Sequence, residues 1–185
     1  ASAMVVAPAL YKDLTYDSEK SFAPIGLAVY GPMILGVRAS LPVSDLKALL
    51  AYAKANPNKL NFASTGNGST HHLGMELFKQ ATGIEMTHIP YRGGAPAWTA
   101  VSTGETDLMM DALFGGAVPL IQAGSVRVLA VAGDARLPAL PNVPTLRELG
   151  VPGVNVSFWW AFLAPAGTPE PVVGQLNRAL ATALN

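Results

Sequence analysis

Apolar and polar positions in this chain change period every five to fifteen residues or so, as in a domain that alternates strands with helices. Pro32–Val37 is a compact apolar run, the pattern of a buried strand. Leu46, Leu49, Leu50 and Ala53 then recur at three- and four-residue steps, predicting a helix capped by Ser44 and ended by Asn56-Pro57. Leu60–Ala63 reads as a short strand and Ser64–Thr70 as a turn rich in glycine and serine. A helix over Thr70–Ala81 should turn Leu73, Leu77 and Phe78 inward and stop at Gly83. The alternation continues with a strand at Met86–Ile89, a turn at Pro90–Gly94, and a helix at Ala95–Ser102 stopped near Gly104. Asp107–Leu113 is strand-like, Val118–Ala123 helical up to Gly124, and Val126–Val131, rich in valine, a strand again.

This rhythm predicts an α/β fold: a mainly parallel sheet covered by helices on both faces. Pro138, Pro141, Pro144 and Pro152 interrupt it, so Pro138–Gly153 reads as a connector holding one short helix, Thr145–Leu149. Val154–Leu163 is a second long apolar segment, in which at least one of Trp159 and Trp160 should be core. A last helix starts after Thr168 and places Val172, Val173, Leu176 and Leu180 on one face.

Composition narrows the functional classes. Lys plus Arg and Asp plus Glu are 12 each, so no net field or basic run draws in nucleic acid or an anionic membrane. Without cysteine there are no disulfides, thiolate metal sites or thiol nucleophiles. The three histidines, His71, His72 and His88, lack metal-ligand spacing, and no cofactor is expected. Ser21–Val37 is uncharged but too short and too punctuated by Gly and Pro to span a bilayer, and no basic leader precedes it.

Two loops carry candidate chemistry, each following a strand and opening a helix, where parallel α/β sheets place ligands. In the first, Gly66 and Gly68 allow close backbone approach, while helix-start amides and the hydroxyls of Ser64, Thr65, Ser69 and Thr70 can donate to an anion. It matches neither the dinucleotide fingerprint nor the P-loop, and a plain hydroxyl-capped turn would also account for it. In the second, Tyr91 offers a hydroxyl or an aromatic face, Arg92 a two-pronged partner for a carboxylate, and Gly93 a flexible backbone. Arg92 reads equally well as a solvated charge. Asp111 ends the next strand and is expected at the same edge, as a site residue or a turn cap. Of His71 and His72 only one can face a cleft, because neighbours on a helix point about 100° apart; either suits helix capping. A hydrolase using Ser69 with a histidine would need a G-x-S-x-G elbow, which is missing. A ligand-sensing regulatory domain is a further alternative, without a visible DNA-binding helix-turn-helix.

Read in order, Leu10-Tyr-Lys-Asp-Leu-Thr-Tyr-Asp17, Phe22-Ala-Pro-Ile25, Ala53-Lys-Ala-Asn-Pro57, Ser64-Thr-Gly-Asn-Gly-Ser-Thr-His-His-Leu73, His88-Ile-Pro-Tyr-Arg-Gly93, Ala123-Gly-Ser-Val-Arg-Val-Leu-Ala130, Pro141-Asn-Val-Pro-Thr145 and Ala164-Pro-Ala-Gly-Thr-Pro169 resemble the Bug family, the TctC-like solute receptors of tripartite tricarboxylate transporters. The resemblance implies a two-lobed fold of the type II periplasmic binding proteins, with crossings near Gly31–Val37 and Ser157–Leu163. Residues 35–155 would form a complete lobe II, and residues 1–34 and 156–185 a partial lobe I. Family members extend beyond both ends of this chain, which implies a fragment whose lobe I could expose apolar surface and dimerise. The resemblance also implies a periplasmic, non-enzymatic receptor that clamps a small organic carboxylate between its lobes and serves transporter membrane subunits. The loops at Ser64–Thr70, with His71, and at Tyr91–Gly93 match those that supply one wall.

Overall fold

The computed structural model describes residues 2–114 and 116–184. In chain order the elements are α1 (Ser2–Val5), α2 (Ala7–Leu10), β1 (Phe22–Arg38), α3 (Leu46–Ala55), β2 (Asn61–Ser64), α4 (Thr70–Thr82) and β3 (Thr87–Pro90). There follow α5 (Gly94–Thr103), β4 (Leu108–Ala112), α6 (Ala117–Gln122), β5 (Val126–Ala132), β6 (Ser157–Pro165) and α7 (Glu170–Leu184). The chain divides into two compact units, Pro32–Ser157 and the pair of segments Ala1–Gly31 and Phe158–Asn185. Among the described residues no helix is long and apolar enough to cross a membrane.

The Pro32–Ser157 unit is built on strands in the order β3-β2-β4-β1-β5. β2 runs parallel to β3 and to β4, as a strand-helix-strand repeat requires. β1 is antiparallel to both β4 and β5, so the sheet is mixed and not uniformly parallel. The cause lies in the chain path. β1 enters before α3 and slots between two strands that both arrive from the other end. The apolar run Pro32–Val37 is the buried half of a 17-residue strand, whose first ten residues lie in the other unit. Met33, Ile34, Leu35 and Val37 are at most 1% exposed, and β2, β4 and β5 add Phe62, Leu108, Met110 and Val131. Each such side chain contributes roughly 1.5–3 kcal/mol of transfer free energy.

Local chemistry sets the helix ends. α3 is capped by Asp45, whose carboxylate accepts from the Ala48 amide at 2.8 Å; Ser44, the expected cap, donates to Asp45 instead. α4 ends at Gly83, whose φ of 65° is left-handed. Its buried stripe is Gly74, Met75 and Phe78, whereas Leu73 and Leu77 are 40% and 36% exposed, contrary to the expected inward face. Gly74 shifts the face, because a Cβ there would sit 3.0 Å from Met110 Sδ and 3.1 Å from Val156 Cγ1. The short helix expected at Thr145–Leu149 is a single turn. Thr145 and Glu148 hydrogen-bond reciprocally, side chain to amide, while Thr145 also bridges Val131. Arg136 chelates Glu148 and, with the Thr145 amide, holds its carboxyl down at about 2.

In the other unit, β1 pairs with β6, and Asn177 on α7 donates to the Ile25 carbonyl at 2.7 Å. No residue of α7 is buried: Val172 and Leu176 are exposed, and of the expected apolar face only Val173 and Leu180 are partly covered. Neither Trp159 nor Trp160 is core; Trp160 is 53% exposed.

One position couples sheet and helix tightly. A Cβ on Gly36 would lie 2.6 Å from Cη2 and 2.9 Å from Cζ3 of Trp98, a fully buried ring on α5. Gly36→Ala should therefore lower stability by about 1–3 kcal/mol, read as the urea midpoint of unfolding. An unchanged midpoint would show that the Trp98 ring has room to yield.

Candidate functional site

The two loops singled out in sequence leave the sheet side by side. Ser64 at the end of β2 is in register with Pro90 at the end of β3, and the Tyr91 amide donates to the Ser64 carbonyl at 2.9 Å. β4 runs parallel to β2 from the pair Phe62 and Leu108, so Asp111 reaches the same edge. Helices α4 and α5 start there. The first-turn amides of Thr70, His71, Gly94 and Ala95 have no acceptor among the described residues, so two partial positive ends face one edge.

The first loop is held open by its glycines. Gly66 and Gly68 have φ of 123° and 71°, and a Cβ on Gly66 would meet nothing within 4 Å. Several hydroxyls expected to face a ligand are used internally. Ser64 is fully buried, accepting from the Gly66 amide and bonding the His88 ring. Ser69 is the N-cap of α4 and accepts from the His72 amide at 3.2 Å. Among the described residues it contacts no imidazole nitrogen, so the Ser69–histidine pairing of a hydrolase is not formed. Of the two histidines read as caps, His72 has that role, its Nδ1 accepting from the Gly68 amide at 3.1 Å. Thr70 is half-buried at the first helical position.

In the second loop Tyr91 is turned away from the edge. Its ring packs on the cluster around Trp98 and its hydroxyl donates to Glu105 at 2.9 Å. Burial, with Glu105 beside it, pushes the phenol up to about 12. Arg92 is exposed, and its guanidinium pairs with no carboxylate among the described residues. Gly93 has φ of 118° and precedes α5.

Beneath the first loop lies a polar chain. Asp111, 5% exposed and inside β4 next to its last residue, accepts from Trp98 Nε1 at 2.8 Å and from the Ala112 amide at 2.7 Å. Its Oδ1 also lies 2.8 Å from His71 Nε2, and His71 Nδ1 lies 2.8 Å from Thr65 Oγ1. Asp111 is thus a buried anchor and not a turn cap. A Cβ at position 94 would come within a tight 3.3 Å of Oδ2, so glycine there leaves the carboxylate undisturbed. The expected residues therefore fall into two groups: Thr70, Arg92 and the open amides border the edge, while Ser64, Ser69, His71, Tyr91 and Asp111 shape it from behind. Trp98 and Gly94 were missed from sequence. No group of three or more His, Asp or Glu side chains among the described residues is placed to hold a metal.

Behind Ser64 the rings of Phe62, His88 and His72 stack, His72 and His88 at 4.0 Å with 17° between planes. Burial lowers the His88 pKa from 6.5, the neighbouring His72 and Lys79 add to the shift, and Glu76 opposes it. The unfolded chain thus takes up a proton that folded His88 resists. Its contribution to stability is complete above pH 6.5 and is lost as pH falls through that value, levelling off below the lower folded pKa. His88→Gln should flatten the fall in melting temperature below pH 6.5 relative to the parent. Superimposable slopes would assign that fall to other groups.

Comparison with known proteins identifies the frame. The model of the tripartite tricarboxylate transporter family receptor, TctC, matches residues 1–185. A UPF0065 protein of Bordetella pertussis is 39% identical over 180 residues, covering 96% of this chain and 54% of that protein. MatC from Rhodopseudomonas palustris, solved with bound malate, superposes with a TM-score of 0.91 at 35% identity, covering 100% of this chain and 62% of MatC. The R. palustris protein Rpa4515, solved with adipate, gives 0.88 at 39% identity, covering 93% of this chain and 57% of that one. The chain spans about half the length of the curated relatives it matches. The fold is that of the periplasmic binding proteins, and the chain belongs to the TctC family of tripartite tricarboxylate transporter receptors.

Proposed function

We propose that this chain contributes to a periplasmic receptor that binds a small organic di- or tricarboxylate and presents it to the membrane subunits of a tripartite tricarboxylate transporter. The observation that carries the reading is the convergence of two helix N-termini, with the open amides of Thr70, His71, Gly94 and Ala95, on one sheet edge in a member of this family. A carboxylate there would accept from backbone donors whose dipoles favour negative charge. Arg92, exposed beside them and unpaired with a carboxylate among the described residues, is the side chain we assign to a second, charge-assisted contact. Relatives that hold malate and adipate support the ligand class. In this reading Pro32–Ser157 is the complete lobe, and the remaining residues belong to the other. Leu27, Tyr30, Phe162 and Leu176, exposed in that second part, are where copies would associate.

Thermal melts in the presence of adipate, malate and their uncharged diamides test the proposal. A carboxylate that binds the native chain raises the melting temperature with the logarithm of its concentration, and the diamides leave it unmoved. Arg92→Ala should weaken the apparent affinity by roughly tenfold, as expected for one charge-assisted hydrogen bond. If no acid shifts the melt, the loops do not form a carboxylate site.

A further inference from the structure

The polar chain under the first loop has a direction. Asp111 carries two oxygens and receives Trp98 Nε1, the Ala112 amide and His71 Nε2, all within 2.8 Å. Trp and amide nitrogens can only donate. A carboxylate met by these donors is an acceptor on both oxygens, so the proton of the His71 contact sits on Nε2. In neutral His71 the other nitrogen, Nδ1, is then a bare lone pair. The Thr65 hydroxyl at 2.8 Å must give its single proton to it. What Thr65 has left for anything at the loop is a lone pair.

A plain carboxylate cannot use that lone pair, since both groups would be acceptors. A hydroxyl on the ligand can. Thr65 is half-buried and adjoins Gly66, beside which there is open space in the same loop. We propose that Trp98, Asp111 and His71 are positioning residues that fix Thr65 as a hydrogen-bond acceptor, so that the site prefers a carboxylic acid bearing a hydroxyl donor over the same acid without it. The preference rests on the carboxylate site proposed above; the polarity of Thr65 does not.

Two measurements on this chain test it. Ring-nitrogen NMR of ligand-free protein should show His71 with a proton on Nε2 and an unprotonated, hydrogen-bond-accepting Nδ1. A proton on Nδ1, in a neutral or a doubly protonated ring, overturns the assignment. Calorimetric titrations then compare malate with succinate, which differ by one hydroxyl. The parent should bind malate at least roughly fivefold more tightly, the scale of one neutral hydrogen bond. Thr65→Val, which keeps the shape and removes the acceptor, should bring the two acids to near parity, and Thr65→Ser should restore the difference. Equal binding of both acids by the parent, or a preference that survives Thr65→Val, overturns the selectivity and leaves the receptor function standing. If the parent binds neither acid, the selectivity falls, and the proposed function falls with it only if adipate also fails to shift the melt.

Discussion

A carboxyl with 5% exposure is destabilising in a fold unless hydrogen-bond donors surround it, and Asp111 meets that condition with donors from three places at once. Trp98 comes from α5, the Ala112 amide from β4 itself, and His71 from the first turn of α4. Satisfying one buried group therefore fixes where two helices begin relative to the strand between them. Glycine at 36 lets the Trp98 ring pack against β1, and glycine at 94 lets α5 start beside the carboxylate. Removing the acid alone would leave the Trp98 and His71 donors without partners, a cost of about 1–3 kcal/mol for each such group.

The same constraint shapes the edge where α4 and α5 begin. His71 spends its ring on Asp111 and Thr65, while its backbone amide, a first-turn donor of α4, is left free next to that of Thr70. Because Ser69 caps α4 and Ser64 ties the loop to β3 through His88, the loop keeps its shape with no partner from outside. The result is a preorganised set of backbone donors, an arrangement that would lower the ordering cost of binding the proposed anion.

Much of this was legible in the sequence. The strand-to-helix loops at Ser64–Thr70 and Tyr91–Gly93 stood out because glycines and hydroxyl residues interrupt clear hydrophobic periods, and the structure places both at one edge. The roles of their side chains were harder to read. A serine before a helix suggests a cap as well as an anion donor, and only the 3.2 Å contact to the His72 amide decides for the cap. The antiparallel insertion of β1 left no local trace, since an apolar run looks the same in either direction. The exposed Leu73 and Leu77 follow from Gly74, whose lack of a side chain lets the helix lie close on that face. Periodicity counts apolar residues and is blind to such an approach. Asp111 was placed at the right edge, but the donors that bury it, Trp98 and His71, lie 13 and 40 residues away.

Binding of an acid at the starts of α4 and α5 is tested most directly by amide-resolved NMR during titration with malate or adipate, because backbone N–H resonances report a new acceptor at the donor itself. The largest shifts should fall on Thr70, His71, Gly94 and Ala95, the amides that lack acceptors among the described residues. Shifts concentrated elsewhere on the chain, with these four unmoved at saturation, would contradict it.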